Sequence, residues 1–102
     1  MKKDKSGHSQ ETAVALKYEI DDTAPRVVAK GKNYLAQKIV KIAHEHKVPV
    51  RIDAKLAQLL YQVSLDKAIP EYLYELVAEV LAWVFSLDAK YKVVKNAEVT
   101  NE

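Results

Sequence analysis

With 102 residues, 49% of them apolar, and only two glycines and three prolines, the chain suits one packed globular domain and not a disordered one. It has no cysteine, which excludes disulfides, thiol nucleophiles and cysteine-bound zinc. The net charge of +2 is too small to signal a partner, but residues 26–47 hold six basic side chains against Glu45 alone, and residues 66–88 hold five acids against Lys67 alone.

Residues 1–12 are polar and without period, and are expected as a flexible N-terminal tail. No apolar run follows their lysines, so no signal peptide is expected. The longest apolar stretch, residues 80–87, falls short of the ~20 residues of a membrane span, which leaves a soluble, cytoplasmic chain as the expectation. Residues 12–19 (TAVALKYE) predict a mostly buried strand. A loop follows, and Pro25, tolerated in a first helical turn, marks the start of a helix from Arg26 to about residue 45. Its apolar side carries Val28, Leu35, Ile39, Ile42 and His46.

Residues 48–52 predict a short strand, with Asp53 capping a helix over 54–62. After a connection over 63–69, a final helix is expected from Pro70 to residue 87. Leu73, Val77, Val80, Leu81 and Val84 form its apolar face, and Ala78 lies off that face. Residues 89–102, despite Tyr91, Val93 and Val94, are expected as a flexible C-terminal tail. The domain thus spans 13–88 and is of α/β class: a small single domain with a short, mainly parallel sheet packed by three to four helices. Two strands make a poor sheet, so one is missing or supplied by a partner.

Catalytic and cofactor signatures are absent, and neither an enzyme nor a small-molecule substrate is expected. His44 and His46 sit two apart and point to different sides of a helix, so no metal site follows from them. Lys30-Gly31-Lys32 holds too little glycine to cradle phosphate, and Ser64 and Ser86 have no motif around them. Arg26, Lys30, Lys32, Lys38 and Lys41 form a basic set, which keeps a nucleic-acid-binding or regulatory adaptor open as an alternative function, though nucleic acid is not the favoured partner.

Three stretches, AVALKY at 13–18, APRVVAKG at 24–31 and IPEYLYELVAEVLAWVF at 69–85, together resemble the cytoplasmic domain of the FlhB/YscU (FlhB/HrpN/YscU/SpaS) export-switch family of type III secretion. LAQKIVKIAHEHKVPV and LAQLLY fit between them in order and spacing. The resemblance implies flagellar or type III protein export, with export substrates or export-gate proteins as partners, and a place in the cytoplasm or peripheral at the inner-membrane export apparatus.

In that family the strand matching AVALKY follows an Asn-Pro-Thr-His motif whose asparagine cleaves its own peptide bond. Here His8, Ser9, Gln10 and Glu11 stand in those places, so the resemblance implies a stand-alone homologue that does not cleave. The family's strand before the asparagine is missing from that place too. The membrane half of a full-length paralogue could then supply a strand along residues 13–19. The resemblance also implies a docking patch for export substrates at Ala24, Pro25, Ala78 and Leu81, with Ala24 and Ala78 both exposed.

Overall fold

Small and β-branched residues in TAVALK build the first strand, β1 (Thr12–Lys17), which is buried on both faces as its continuous apolar pattern requires. The computed structural model describes residues 10–19, 21–85 and 90–96, with side chains in the last helix as far as residue 79. Beside β1 lies β2 (Arg26–Lys32), antiparallel, with a bulge between Ala15 and Leu16. Then follow α1 (Tyr34–Glu45), β3 (Val50–Ile52) and α2 (Ala54–Tyr61). A 3-10 turn (Glu71–Leu73) leads into α3 (Tyr74–Phe85), and β4 (Tyr91–Lys95) ends the described chain. The sheet order is β2-β1-β4-β3.

The α/β class and the small single domain with its helices stand as expected. The strand directions are corrected: the sheet is mixed, antiparallel between β1 and β2 and between β1 and β4, and parallel only between β3 and β4. Both strands absent from the expectation lie within the chain. Residues 26–32, expected as helix, are β2. Pro25 suits the approach to a strand as well as a helix, and the β-branched Val27 and Val28 favour the strand. The helix begins only after Asn33, whose φ of 54° turns the chain. Residues 91–95, expected within a loose tail, are a central strand. Their alternation is masked by Lys92 and Lys95, lysines that the structure nonetheless buries.

Two hydrophobic clusters sit on opposite faces of the sheet. Val14, Leu16, Val27 and Val94 meet Leu56, Ala57 and Leu60 of α2 and Leu73 and Val77 beyond it. On the other face Ala13 and Val93 meet Ala36, Val40 and Ala43 of α1. The apolar side expected for α1 is corrected by this packing. Leu35 and Ile42 remain 49% and 46% exposed, because the small row Ala36/Val40/Ala43 lets the helix approach the alanine-rich face of β1. Gly31 serves the same approach, since a Cβ there would stand 2.5 Å from Leu35 Cγ.

Asp53 caps α2 as expected, its carboxylate accepting from Leu56 N at 3.1 Å. β1 begins at Thr12, where the strand was read from the sequence, and Glu11 before it is tied to Asn33: Asn33 N donates to Glu11 O (2.7 Å) and Glu11 N to Asn33 Oδ1 (3.2 Å).

Lys92 is the costly residue of the sheet. It lies opposite Leu16, is 1% exposed, and its ammonium stands over the Tyr18 ring, 6.0 Å to the centroid. Burial lowers its pKa from 10.5 to about 8. Below about pH 8 the amine is charged in both folded and unfolded chains, and the folded chain bears the desolvation cost. Between about 8 and 10.5 the folded chain sheds the proton first, so stability rises with pH. Urea midpoints across this window should therefore climb for the native chain. Lys92→Leu should be more stable at neutral pH by about 1–2 kcal/mol and should lose the climb. A flat native profile would contradict the burial of the charge.

Candidate functional site

The turn after β1 is closed by its own polar groups. Asp22 N donates to Glu19 O and Glu19 N to Asp22 Oδ2, both at 2.9 Å. This directs residues 23–25 across the mouth of the larger hydrophobic cluster. A second segment comes alongside: Ile69 N donates to Pro25 O (2.9 Å), Val27 N to Lys67 O (3.1 Å) and Asp66 N to Val27 O (2.6 Å). Asp66 takes a φ of 66° to make that turn. Pro70 then starts the 3-10 turn, its carbonyl accepting from Leu73 N at 3.0 Å, and α3 sets off beside Pro25.

Between these pieces lies a shallow groove of about 170 Å³, lined by Tyr18, Thr23, Ala24, Pro25, Ile69, Tyr74, Val77 and Ala78. Three of the four positions expected for a docking patch, Ala24, Pro25 and Ala78, therefore line one depression. They do so in different roles. Ala78 is exposed on the rim, whereas Ala24, expected as exposed, is 5% exposed and belongs to the core cluster under the groove floor. The correction has a local cause, since the closed turn and the bond from Ile69 to Pro25 press residue 24 inward. Pro25 is buried beside it. Leu81 lies in α3, but its side chain is outside the described residues. Tyr18 and Tyr74, which periodicity did not single out, supply aromatic walls. Their signal in the sequence is a tyrosine at each end of apolar runs that approach the same loop.

Charge collects at one end of the groove's strand. Glu19 lies 3.3 Å from Lys17 Nζ and 3.5 Å from Lys90 Nζ. Its hydrogen bond to Lys17 lowers the Glu19 pKa and raises that of Lys17, at an exposed site.

The five basic positions do not converge. Lys30 Nζ donates to Tyr61 O and Val63 O at 2.9 Å each, closing the end of α2, and it stands over the Tyr61 ring with Lys32, at 5.0 and 4.8 Å. Lys38 and Lys41 are on α1, across the sheet, and Lys41 pairs with Glu45 at 3.9 Å. Arg26 is half-buried in β2. At the degenerate cleavage position, His8 and Ser9 are outside the described residues. Gln10 O accepts from Asn96 Nδ2 at 2.9 Å, and Glu11 Oε1 accepts from Gln37 Nε2 at 2.8 Å. Among the described residues no three histidine or acidic side chains gather as metal ligands. His46 Nδ1 lies 3.0 Å from Ile42 O. No helix among the described residues is long and apolar enough to cross a membrane.

Residues 9–84 match the model of the FlhB HrpN YscU SpaS family. The chain is 44% identical over 81 residues to the uncharacterized protein YlqH of Bacillus subtilis, spanning 78% of this chain and 87% of that one. Against the flagellar biosynthetic protein FlhB of the same organism it is 46% identical over 80 residues, but these span 76% of this chain and only 22% of FlhB. Among solved structures it resembles the cytoplasmic domain of FlhB from Shewanella putrefaciens, with a TM-score of 0.70, 41% identity, and 76% and 64% of the two chains covered. It also resembles the PscU C-terminal domain, with a TM-score of 0.68, 33% identity, and 72% and 95% covered.

The groove's two alanines separate stability from surface chemistry. Ala78→Asp, on the exposed rim, should change folding stability by less than about 1 kcal/mol. Ala24→Asp buries a carboxylate in the core and should cost about 3 kcal/mol or more. Equal midpoints for the two variants in urea denaturation would contradict the placement of Ala24.

Proposed function

The chain belongs to the FlhB HrpN YscU SpaS family, and from that premise we propose that it is a non-enzymatic, non-cleaving interaction module of flagellar or type III protein export. The observation that carries the reading is the groove, where Ala24 and Pro25 from one loop and Ala78 from α3 meet around a mainly apolar depression. An exposed apolar-rimmed depression of this size suits a short segment of a partner better than a small molecule, for which it offers no convergent polar groups. Export substrates and export-gate proteins are the partners this reading assigns to it, at the cytoplasmic side of the export apparatus. Tyr18 and Tyr74 would grip such a segment, Pro25 and Ala24 would hold the floor, and the small Ala78 would keep the rim low.

Non-cleavage rests on chemistry. Self-cleavage of the family's kind needs an asparagine side chain reaching its own carbonyl before a proline. The described asparagines beside Gln10, Glu11 and Thr12 are Asn33 and Asn96, which come from elsewhere in the chain and precede Tyr34 and Ala97, not a proline. The adaptor alternative gains no support, since Lys30 and Lys32 serve α2 while Lys38 and Lys41 lie across the sheet.

Binding to flagellar export substrates from the same organism, followed by calorimetry on protein of verified intact mass, tests the reading. Ala78→Asp should weaken the complex about tenfold or more, by setting a charge on an apolar contact. Affinity should change little when salt is raised, whereas phosphate contacts would make it fall steeply. Unchanged binding by Ala78→Asp, or specific scission between residues 8 and 12 on storage, would overturn it.

A further inference from the structure

The face of the sheet that carries α1 is covered unevenly. Three rows of residues, each in register across β2, β1 and β4, cross it: Gly31–Ala13–Lys95, Ala29–Ala15–Val93 and Arg26–Lys17–Tyr91. α1 leaves the end of β2 and leads to β3 at the opposite edge of the sheet. The first row is buried throughout. In the second, Val93 is buried but Ala15 and Ala29 are only half-buried. In the third, Arg26 and Lys17 are half-buried and Tyr91 is 42% exposed. Cover therefore falls away towards one end. On the other face, by contrast, α2, the 3-10 turn and α3 close over Val14, Leu16 and Val27.

Where the cover stops, a cleft of about 190 Å³ opens, floored by Ala15 and Ala29 and walled by Ile39, Ile42 and Tyr91. An apolar cavity of about 150 Å³ accommodates a benzene ring, so this cleft has room for a leucine or phenylalanine side chain. Leu35 and Ile42, both half-exposed, continue the apolar wall along α1. The side of α1 that the sequence marks as apolar thus borders a seat that no described residue fills.

The third row sets charge at one end of that seat. Arg26 and Lys17 stand directly opposite one another on neighbouring strands, which is unfavourable for like charges. Lys17 is paired with Glu19, which Lys90 shares, and Arg26 has no ion pair among the described residues. The row therefore keeps surplus positive charge, and the exposed Lys38 of α1 adds to it. β1 has β2 on one side and β4 on the other, which corrects the expectation of a strand added along residues 13–19. No edge is open there, so a partner meets this part of the sheet on its face.

We propose that the seat docks an acidic amphipathic helix of a partner protein. A large apolar side chain enters the cleft over Ala15 and Ala29, and carboxylates one turn further on lie over Arg26 and Lys17. The second and third rows are two strand residues apart, about 7 Å, and a helical turn rises about 5.4 Å, so one turn spans them. A helix suits the place because the strands beneath are already paired and the layer that covers a sheet face is helical, as α1 is. Two copies meeting through this same face would set like charges against each other, which disfavours that pairing. The seat lies across the sheet from the groove of Ala24, Pro25 and Ala78 and does not depend on its occupancy.

The probe is a fluorescein-labelled helical peptide with leucines three and four residues apart and glutamates beside them; the control has lysine for every glutamate. The glutamate peptide should bind the full chain about tenfold or more tightly than the control, and should weaken as salt is raised. Ala29→Leu, which fills the cleft floor, and Arg26→Glu, which reverses the charged row, should each weaken binding about tenfold. Ile42→Asp changes an exposed position, should do the same, and decides the matter if Ala29→Leu does not fold. Ala78→Asp, in the groove, should leave this binding unchanged. Equal affinity for the two peptides, binding unaffected by Arg26→Glu and Ile42→Asp, loss of binding in Ala78→Asp, or no binding at millimolar peptide would each overturn the proposal. So would tighter binding to vesicles of anionic phospholipid than to the peptide, or self-association of the chain in sedimentation that Ile42→Asp abolishes.

Discussion

The bonding of β4 to β1 on one side and to β3 on the other is the contact on which the rest of the molecule depends. It closes four strands into one sheet, sets Val93 and Val94 into the two opposite clusters, and clasps the start of β1 through Asn96. Helices can pack on both faces only because that sheet exists. α1 lies over alanines on one side, while α2, the 3-10 turn and α3 cover the other. A two-stranded ribbon with a detached third strand would give none of them a floor. The groove is a consequence at one remove, since its loop, its 66–69 segment and its helix are all anchored to β1, β2 or the cluster beneath them.

Much of this was legible in the sequence, and the parts that were not have physical causes. Residues 12–17 read as a buried strand because no polar residue interrupts TAVAL, and Asp53 read as a cap because the following residues are strong helix formers. Residues 26–32 misled because proline is compatible with the first turn of a helix and with the approach to a strand. The antiparallel ladder to β1 and the bonds of Lys67, Asp66 and Ile69 to residues 25–27 separate the two. Residues 91–95 misled for a different reason. A central strand is expected to be apolar, and lysine at two of five positions breaks that pattern, although the alkyl stem of a lysine can line an apolar space while its amine bears the cost.

The candidate site was legible in membership but not in depth. Periodicity marked Ala78 as lying off the apolar stripe, and it is exposed. No pattern in the sequence could show that Ala24 is turned into the core, because its burial follows from the hydrogen bond of Ile69 to its neighbour Pro25, residues far apart in the chain. The basic set was misjudged for a similar reason. Clustering along the chain is not clustering in space, and a sheet stands between the lysines of β2 and those of α1. A buried polar group is where local rules and tertiary need part company, and Lys92 is a clear instance, placed on the strand that joins β1 to β3.

Native-state hydrogen exchange resolved by residue tests the central claim most directly. If β4 is an integral strand of the sheet, the amide of Val93, bonded to Pro49 O, should be protected well above the level of an unstructured peptide and should open together with amides of β1. Exchange at Val93 as fast as in a free peptide, while β1 stays protected, would show that the sheet holds without β4 and would contradict the account.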